Sequence, residues 1–377
     1  MRIKVDVSSK SSGRLVSLDV LRGFDMFFIT GGATLITGLG VAFGGPMWLT
    51  EQMKHVPWVG IAHHDTIFPL FLFLAGVSWP FSLAAQRQRG RTENQIRLKM
   101  FKRVLTLFLI GFFFGGVLAW KEHFRVMSVL GFIGFSWGVA AVIHMQLKKS
   151  WQQVVFFLLT MIGYGAVMHF VGWPGAPEGS DPYCKEWNVI RWLDMNTLPN
   201  HLIGYSAIPY EPESVFAVPS GALLALIGMW CGCLLKTDRF TPKGRVGLLL
   251  AGGLAALVAT FVFVMILGVP LVKALWTISF IMASAAYSMF MLAAFYWIID
   301  VRGFCRWVPV FDSVGKNSIL VYVLLSIGVS GCVAQYVFGG TAEHAGCWSG
   351  VVRGLGLYLV TWLIARYCLL KNVFIKA

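Results

Sequence analysis

The chain has 377 residues, of which 57% are hydrophobic and only 13% charged, and its mean hydropathy is +0.71. Soluble domains carry about 25% charged residues, so the composition excludes an ordinary soluble enzyme and points to an all-α polytopic membrane protein. The formal net charge of +14 would suggest nucleic acid in a soluble chain. Here its distribution reports topology instead, and no nucleic-acid partner is expected.

Windows of about twenty apolar residues mark membrane-spanning helices. Ten are expected, at approximately 15–38, 64–86, 104–120, 126–147, 151–172, 212–235, 245–268, 273–299, 314–338 and 351–370. Residues 1–14 are polar and basic and read as a cytoplasmic tail rather than a cleavable leader. Residues 371–377 read as a second tail, and 15–370 as one transmembrane domain. Orientation follows from the Lys/Arg bias of the connecting loops. The segment 87–103 carries seven positive residues and one acid, and Lys148-Lys149, Lys236 to Arg245, and Arg302 with Arg306 follow on alternate loops. The opposite loops hold only seven of the 31 Lys and Arg, among them Lys54, Arg125 and Lys273. Both termini are therefore expected inside, and compact loops favour a bacterial inner membrane.

The longest external segment is 173–211, rich in Pro, Gly, Trp, Tyr and carboxylates. Aromatic faces flanked by carboxylates suit a sugar, whose ring presents CH faces and a rim of hydroxyls; an interfacial aromatic belt reads equally well. Trp58, Trp187, Asp194 and Glu211 are the candidate sugar contacts. Of the seven cysteines, Cys184 and Cys347 fall in loops placed outside, where a disulfide is permitted. Cys231 and Cys233 lack the companions a zinc site needs, so no metal is expected.

Three clusters carry chemistry. His55 precedes V-P-W-V-G, and Asp65 lies ten residues on beside His63 and His64, at the head of an apolar run. Ionisable groups at such a place are a functional-site hypothesis by default. An imidazole takes a proton near neutral pH, and a carboxylate orients it; Asp65 alone would also read as a helix cap. The second cluster is L-D-V-L-R-G-F-D, where Asp19, Arg22 and Asp25 share a helical face. It serves either as a structural ion pair or as a phosphate contact for a nucleotide-bearing donor. The third is F-D-S-V-G-K-N-S-I-L-V-Y, in which Lys316 and Asn317 enter an apolar helix and offer an ammonium and an amide to an anion or a carbonyl.

Taken in order, S-L-D-V-L-R-G-F-D, K-H-V-P-W-V-G, D-T-I-F-P-L-F-L-F-L-A-G, Y-E-P-E-S, L-W-T-I-S-F and G-K-N-S-I-L-V-Y resemble the heparan-α-glucosaminide N-acetyltransferase family, and the chain looks like its compact bacterial members. The resemblance implies transfer of an acetyl group from acetyl-CoA at the cytosolic face to the amine of a glucosamine on the far side. It implies an active His55, with Asp65 beside it, and Asp19, Arg22 and Asn317 in the family's other polar positions, Lys316 adjoining. The chain departs from the family pattern at Val59, at Ala33 and at a leucine soon after the N-S-I-L-V-Y motif, each of which replaces a polar residue. A permease for N-acetylglucosamine or a related amino sugar is the rival reading, and acyl transfer to a glycan hydroxyl a third; a homodimer is the commonest assembly for any of them.

Overall fold

The computed structural model describes residues 15–115, 124–198, 202 and 208–374. The described residues are helical, with a single isolated bridge pairing Val59 and Val272. In chain order the principal helices are α1 (Val16–Ala42), α2 (His63–Gln88), α3 (Glu93–Phe114), α4 (Val129–Gln146), α5 (Ser150–Phe170), α6 (Val189–Thr197) and α7 (Val218–Lys236). They are followed by α8 (Pro242–Phe261), α9 (Ile278–Phe295), α10 (Val308–Lys316), α11 (Ser318–Ser326), α12 (Val329–His344) and α13 (Ser349–Leu370).

Eight helices among the described residues are long and apolar enough to cross a membrane, or nine if α10 and α11 count as one broken span. The chain is a multi-pass membrane protein. The expected span 104–120 enters the C-terminal half of α3, and its residues 116–120 lie outside the described residues, as do the tails 1–14 and 375–377. The expected span 314–338 is not one helix. It is broken by a 74° bend between α10 and α11 and again at Gly328, whose φ of 80° starts α12. Lys316 and Asn317 sit at the first break.

Helix starts follow local sequence. The hydroxyl of Thr92 accepts from the Gln95 amide while the Gln95 side chain reaches back to the Thr92 amide, a reciprocal cap for α3. Ser128, Asn188 and Thr241 cap α4, α6 and α8 by each accepting one backbone amide, with Pro242 in the first turn of α8.

Sorting of helices between centre and rim does not follow apolarity. The most apolar window lies in the helical segment Pro242–Ile266, with mean hydropathy 2.5, yet only 17% of it is buried inside the protein. Lipid tails are as apolar as leucine, so hydropathy does not choose which helix goes inside. The buried helices α2 and α7 instead meet through close backbone contacts at glycines: Gly76 lies against the carbonyl of Ala225, and Gly228 and Gly232 lie against those of Phe73 and Val77. Leu70, Leu72, Phe73, Leu74 and Val77 are wholly buried there with Leu224 and Ala225. The broken α10 is held to α1 by the same device, Gly23 against Phe311 and Gly315 against Asp19.

A Cβ on Gly76 would lie 2.2 Å from the Ala225 carbonyl oxygen. Gly76→Val should therefore cost at least about 1–3 kcal/mol, seen as a lower midpoint of thermal unfolding in detergent. Gly247→Ala, where nothing lies within 4 Å, should leave the midpoint unchanged or raise it, since alanine favours a helix interior by up to about 1 kcal/mol.

Candidate active site

Asp65 occupies the first turn of α2 and is almost wholly buried. Its Oδ2 accepts from the backbone amides of Val56 and Ala62, both at 3.2 Å. Its Oδ1 lies 2.7 Å from His55 Nδ1 and 3.2 Å from Lys273 Nζ. The capping and the functional readings of Asp65 therefore describe one carboxylate, with one oxygen closing the 55–62 loop and the other holding an imidazole and an ammonium. A carboxylate only accepts hydrogen bonds, so His55 Nδ1 carries the proton and donates it. In the neutral ring the lone pair is then on Nε2.

Lys273 reaches this place from a distant loop. Val272 bridges to Val59, and the Gly60 amide donates to the Leu271 carbonyl at 2.8 Å. Gly60 has φ 126°, a conformation that favours glycine. Beyond Lys273 the chain turns at Trp276, which is left-handed with φ 47° and wholly buried. That strained conformation is held by surroundings: the Trp276 indole donates to the Pro212 carbonyl and stacks on Phe132 at 4.4 Å, while its own carbonyl accepts from Ser220 at 2.6 Å. Burial lowers the Lys273 pKa below the usual lysine range, opposed by Asp65.

His55, His64, Lys273 and Glu213 line one end of a cavity of about 460 Å³, whose other end is lined by Arg22, Ser78, Arg103 and Lys316. Between them lie Ile67, Phe68, Phe71 and Ala75, successive turns of one face of α2. His64 and Ser78 are fourteen residues apart, which at 1.5 Å per residue makes the cavity about 21 Å long. At the far end Arg22 donates to Asp19 at 3.1 Å and to the Ser78 hydroxyl. Arg103 lies over the Trp137 ring at 4.4 Å, and its buried Nε has no hydrogen-bond partner among the described residues. Lys316 pairs with Asp312 at 2.8 Å.

Asn317 does not line this cavity; its amide nitrogen donates to the Ala365 carbonyl at 3.2 Å and its Oδ1 is buried without a partner among the described residues. Asp25 is buried and takes no part in the Asp19–Arg22 pair. The Trp58 indole donates to the Tyr183 carbonyl at 2.8 Å and packs on Tyr210, while Trp187 packs on Trp173. Both tryptophans fasten the external segment and neither lines the cavity. Arg125 clamps Glu211 and Glu213 together, and the Ser214 hydroxyl donates to Asp194 at 2.8 Å. Part of that segment, residues 199–201 and 203–207, lies outside the described residues. All seven cysteines are free, including Cys184 and Cys347. Among the described residues no three His, Cys, Asp or Glu groups are arranged to hold a metal.

Three residues of the site escape a reading of the sequence. Lys273 and Glu213 read as ordinary external charges, and Arg103 as one of seven cations in a basic loop; the only signal for Glu213 was its place in the Y-E-P-E-S motif.

The chain is 26% identical over 363 residues to heparan-α-glucosaminide N-acetyltransferase of Mus musculus, covering 83% of this chain and 53% of the mouse protein. To the Homo sapiens protein of the same name it is 25% identical over 360 residues, covering 82% of this chain and 52% of the relative. The chain thus spans about half the length of the curated relatives it matches. No family model matches it.

Asp194 provides a pH test of the external segment. Burial pushes its carboxyl up to about 7, opposed by the Ser214 hydrogen bond and reinforced by Glu211. A carboxyl with a raised folded pKa binds its proton more tightly folded than unfolded. Its contribution to stability is whole below the unfolded value of about 3.9 and is lost as pH rises to 7. Asp194→Asn should flatten the fall in thermal midpoint between pH 4 and 7 and stabilise the protein at pH 8, on the order of 1–4 kcal/mol.

Proposed function

We propose, from its likeness to the two heparan-α-glucosaminide N-acetyltransferases, that the chain moves an acetyl group from cytoplasmic acetyl-CoA to the amine of a glucosamine-type sugar on the external side of a bacterial inner membrane. The observation that carries this reading is the cavity, with the His55–Asp65 pair at one end and Arg22, Arg103 and Lys316 at the other. A long, anionic donor suits that shape: phosphates against the cationic end, a flexible arm along the apolar face of α2, and a thioester beside His55. The unpartnered Nε of Arg103 is the kind of buried donor a phosphate oxygen would satisfy. The Lys/Arg distribution supports the cationic end as the cytoplasmic one.

In this reading His55 Nε2 works on the reacting atoms, because Nδ1 is committed to Asp65. As base, it takes the proton of the acceptor amine while that nitrogen forms its bond to the acetyl carbon and the carbon–sulfur bond breaks. In that route the imidazolium then gives the same proton to the departing thiolate. As acetyl carrier, Nε2 attacks first and the carbon–sulfur bond breaks to release the thiolate. The amine then takes the acetyl group from Nε2 and loses the proton that neutralises the thiolate. Asp65 fixes the tautomer and supports the positive charge that develops on the ring. Glu213 shares the cavity with His55 and is assigned to the acceptor amine, ahead of Glu211, which does not line the cavity and which Arg125 engages through three hydrogen bonds.

Purified protein should be stabilised by acetyl-CoA and by coenzyme A, and should acetylate glucosamine. His55→Ala should lower acetylation at least about 100-fold while leaving stabilisation by acetyl-CoA intact. Full acetylation by His55→Ala would remove the histidine from the reaction. Stabilisation by N-acetylglucosamine, with no response to any coenzyme A species, would make the protein a sugar permease instead.

A further inference from the structure

Lys273 Nζ lies 3.2 Å from His55 Nδ1 and 3.2 Å from Asp65 Oδ1, in the wall of the same cavity. No role for it follows from the transfer chemistry of His55 and Asp65 alone. Asp65 by itself would favour the protonated ring, since a carboxylate beside an imidazole stabilises the imidazolium. An ammonium at hydrogen-bonding distance does the opposite. With Asp65 negative, Lys273 positive and the ring neutral, the three groups sum to zero. Protonating the ring would leave a net positive charge in a partly buried place, with two cations in contact.

We propose that Lys273 is a positioning residue that holds His55 neutral, so that Nε2 keeps the lone pair that acetyl transfer requires. This rests on the reading of His55 as base or carrier. The same contact gives Lys273 a second effect on the carrier route. An acetylated, positively charged imidazole beside an ammonium is destabilised and gives up its acetyl group readily, so little acetyl-enzyme accumulates.

The other charged groups around His55 do not supply this effect. His64 packs ring to ring with His55 at 4.6 Å, and His63 is turned away, bonded to the Tyr287 hydroxyl at 3.0 Å. Glu213 shares the cavity and is tied to Arg125. Tyr322 is the other titratable group of the lining, and Arg22, Arg103 and Lys316 lie at the far end. Among the described residues Lys273 is the one cation recorded in contact with both His55 and Asp65. Its loop is also braced, by the Val59–Val272 bridge on one side and the Trp276 turn on the other, which a freely solvated lysine would not need.

The test reads the ring directly. Diethyl pyrocarbonate modifies only the neutral imidazole, so the pH midpoint of its reaction with His55, followed by peptide mass spectrometry on the full-length protein in detergent, reports the protonation of that residue. In Lys273→Met the midpoint should rise by about one unit, while Lys273→Arg, which keeps the charge, should restore it. Exposed His344 serves as the internal control, and its midpoint should not move. The acidic limb of the acetylation pH profile should move with His55. An unchanged His55 midpoint in both Lys273→Met and Lys273→Gln would overturn the inference, as would a uniform loss of rate at every pH. A shifted midpoint in a protein that transfers no acetyl group would overturn the transferase reading and leave the inference about Lys273 standing.

Discussion

The structure around the site depends on one buried carboxylate. Asp65 accepts from two backbone amides and from two side chains, and these four donors come from two separate stretches of chain, the 55–62 loop and Lys273. Without it, the first turn of α2 would lose its link to the Ala62 amide, the loop carrying His55 would lose its closure, and Lys273 would be buried beside an imidazole with no counter-charge. Burying a carboxylate is tolerable only when it is fully bonded. The bonding that makes it tolerable is also what fixes the ring of His55.

The same logic governs the opposite end of the cavity. Cations within a membrane body are costly and need partners. Arg22 finds Asp19 and Ser78, Lys316 finds Asp312, and Arg103 spreads its charge over the Trp137 ring. The break between α10 and α11 is what delivers Lys316 there. A continuous helix would run the chain past the cavity, whereas the 74° bend places Gly315, Lys316, Ser318 and Ile319 all in its wall. Gly315 and Gly23 make the bend possible by letting α10 lie directly against α1.

How much of this was legible in the sequence divides along the range of the interactions. Apolar length identified most spans, because hydropathy is a local property. The pairing of His55 with Asp65 was legible because only ten residues separate them and a helix start was evident between. The breaks at Asn317 and Gly328 were hidden, since the window 314–338 taken as a whole is apolar enough to read as one span and hydropathy has no term for direction. Lys273 was hidden for a different reason. It is 218 residues from His55, and only the packing of the loop at Trp276 brings it back. The aromatic residues of 173–211 were read for a sugar, but composition does not separate a ring offered to a ligand from one that holds its own loop closed. Trp58 and Trp187 each have a protein neighbour.

Charge, finally, distinguishes the two ends of the cavity. At one end the cations Arg22, Arg103 and Lys316 outnumber the carboxylates Asp19 and Asp312 that pair with them, three to two. At the other, Asp65, Glu211 and Glu213 outnumber Lys273 and Arg125, three to two. One end therefore favours an anion and the other a cation, along a passage whose middle is apolar and lets neither field be screened by water. A donor bearing phosphates and an acceptor bearing an amine carry the matching charges. Each would be drawn to its own end and repelled from the other, so they would meet at His55 from opposite directions without competing for one binding place. A permease for uncharged N-acetylglucosamine would gain nothing from such a gradient, because a neutral sugar is drawn to neither end.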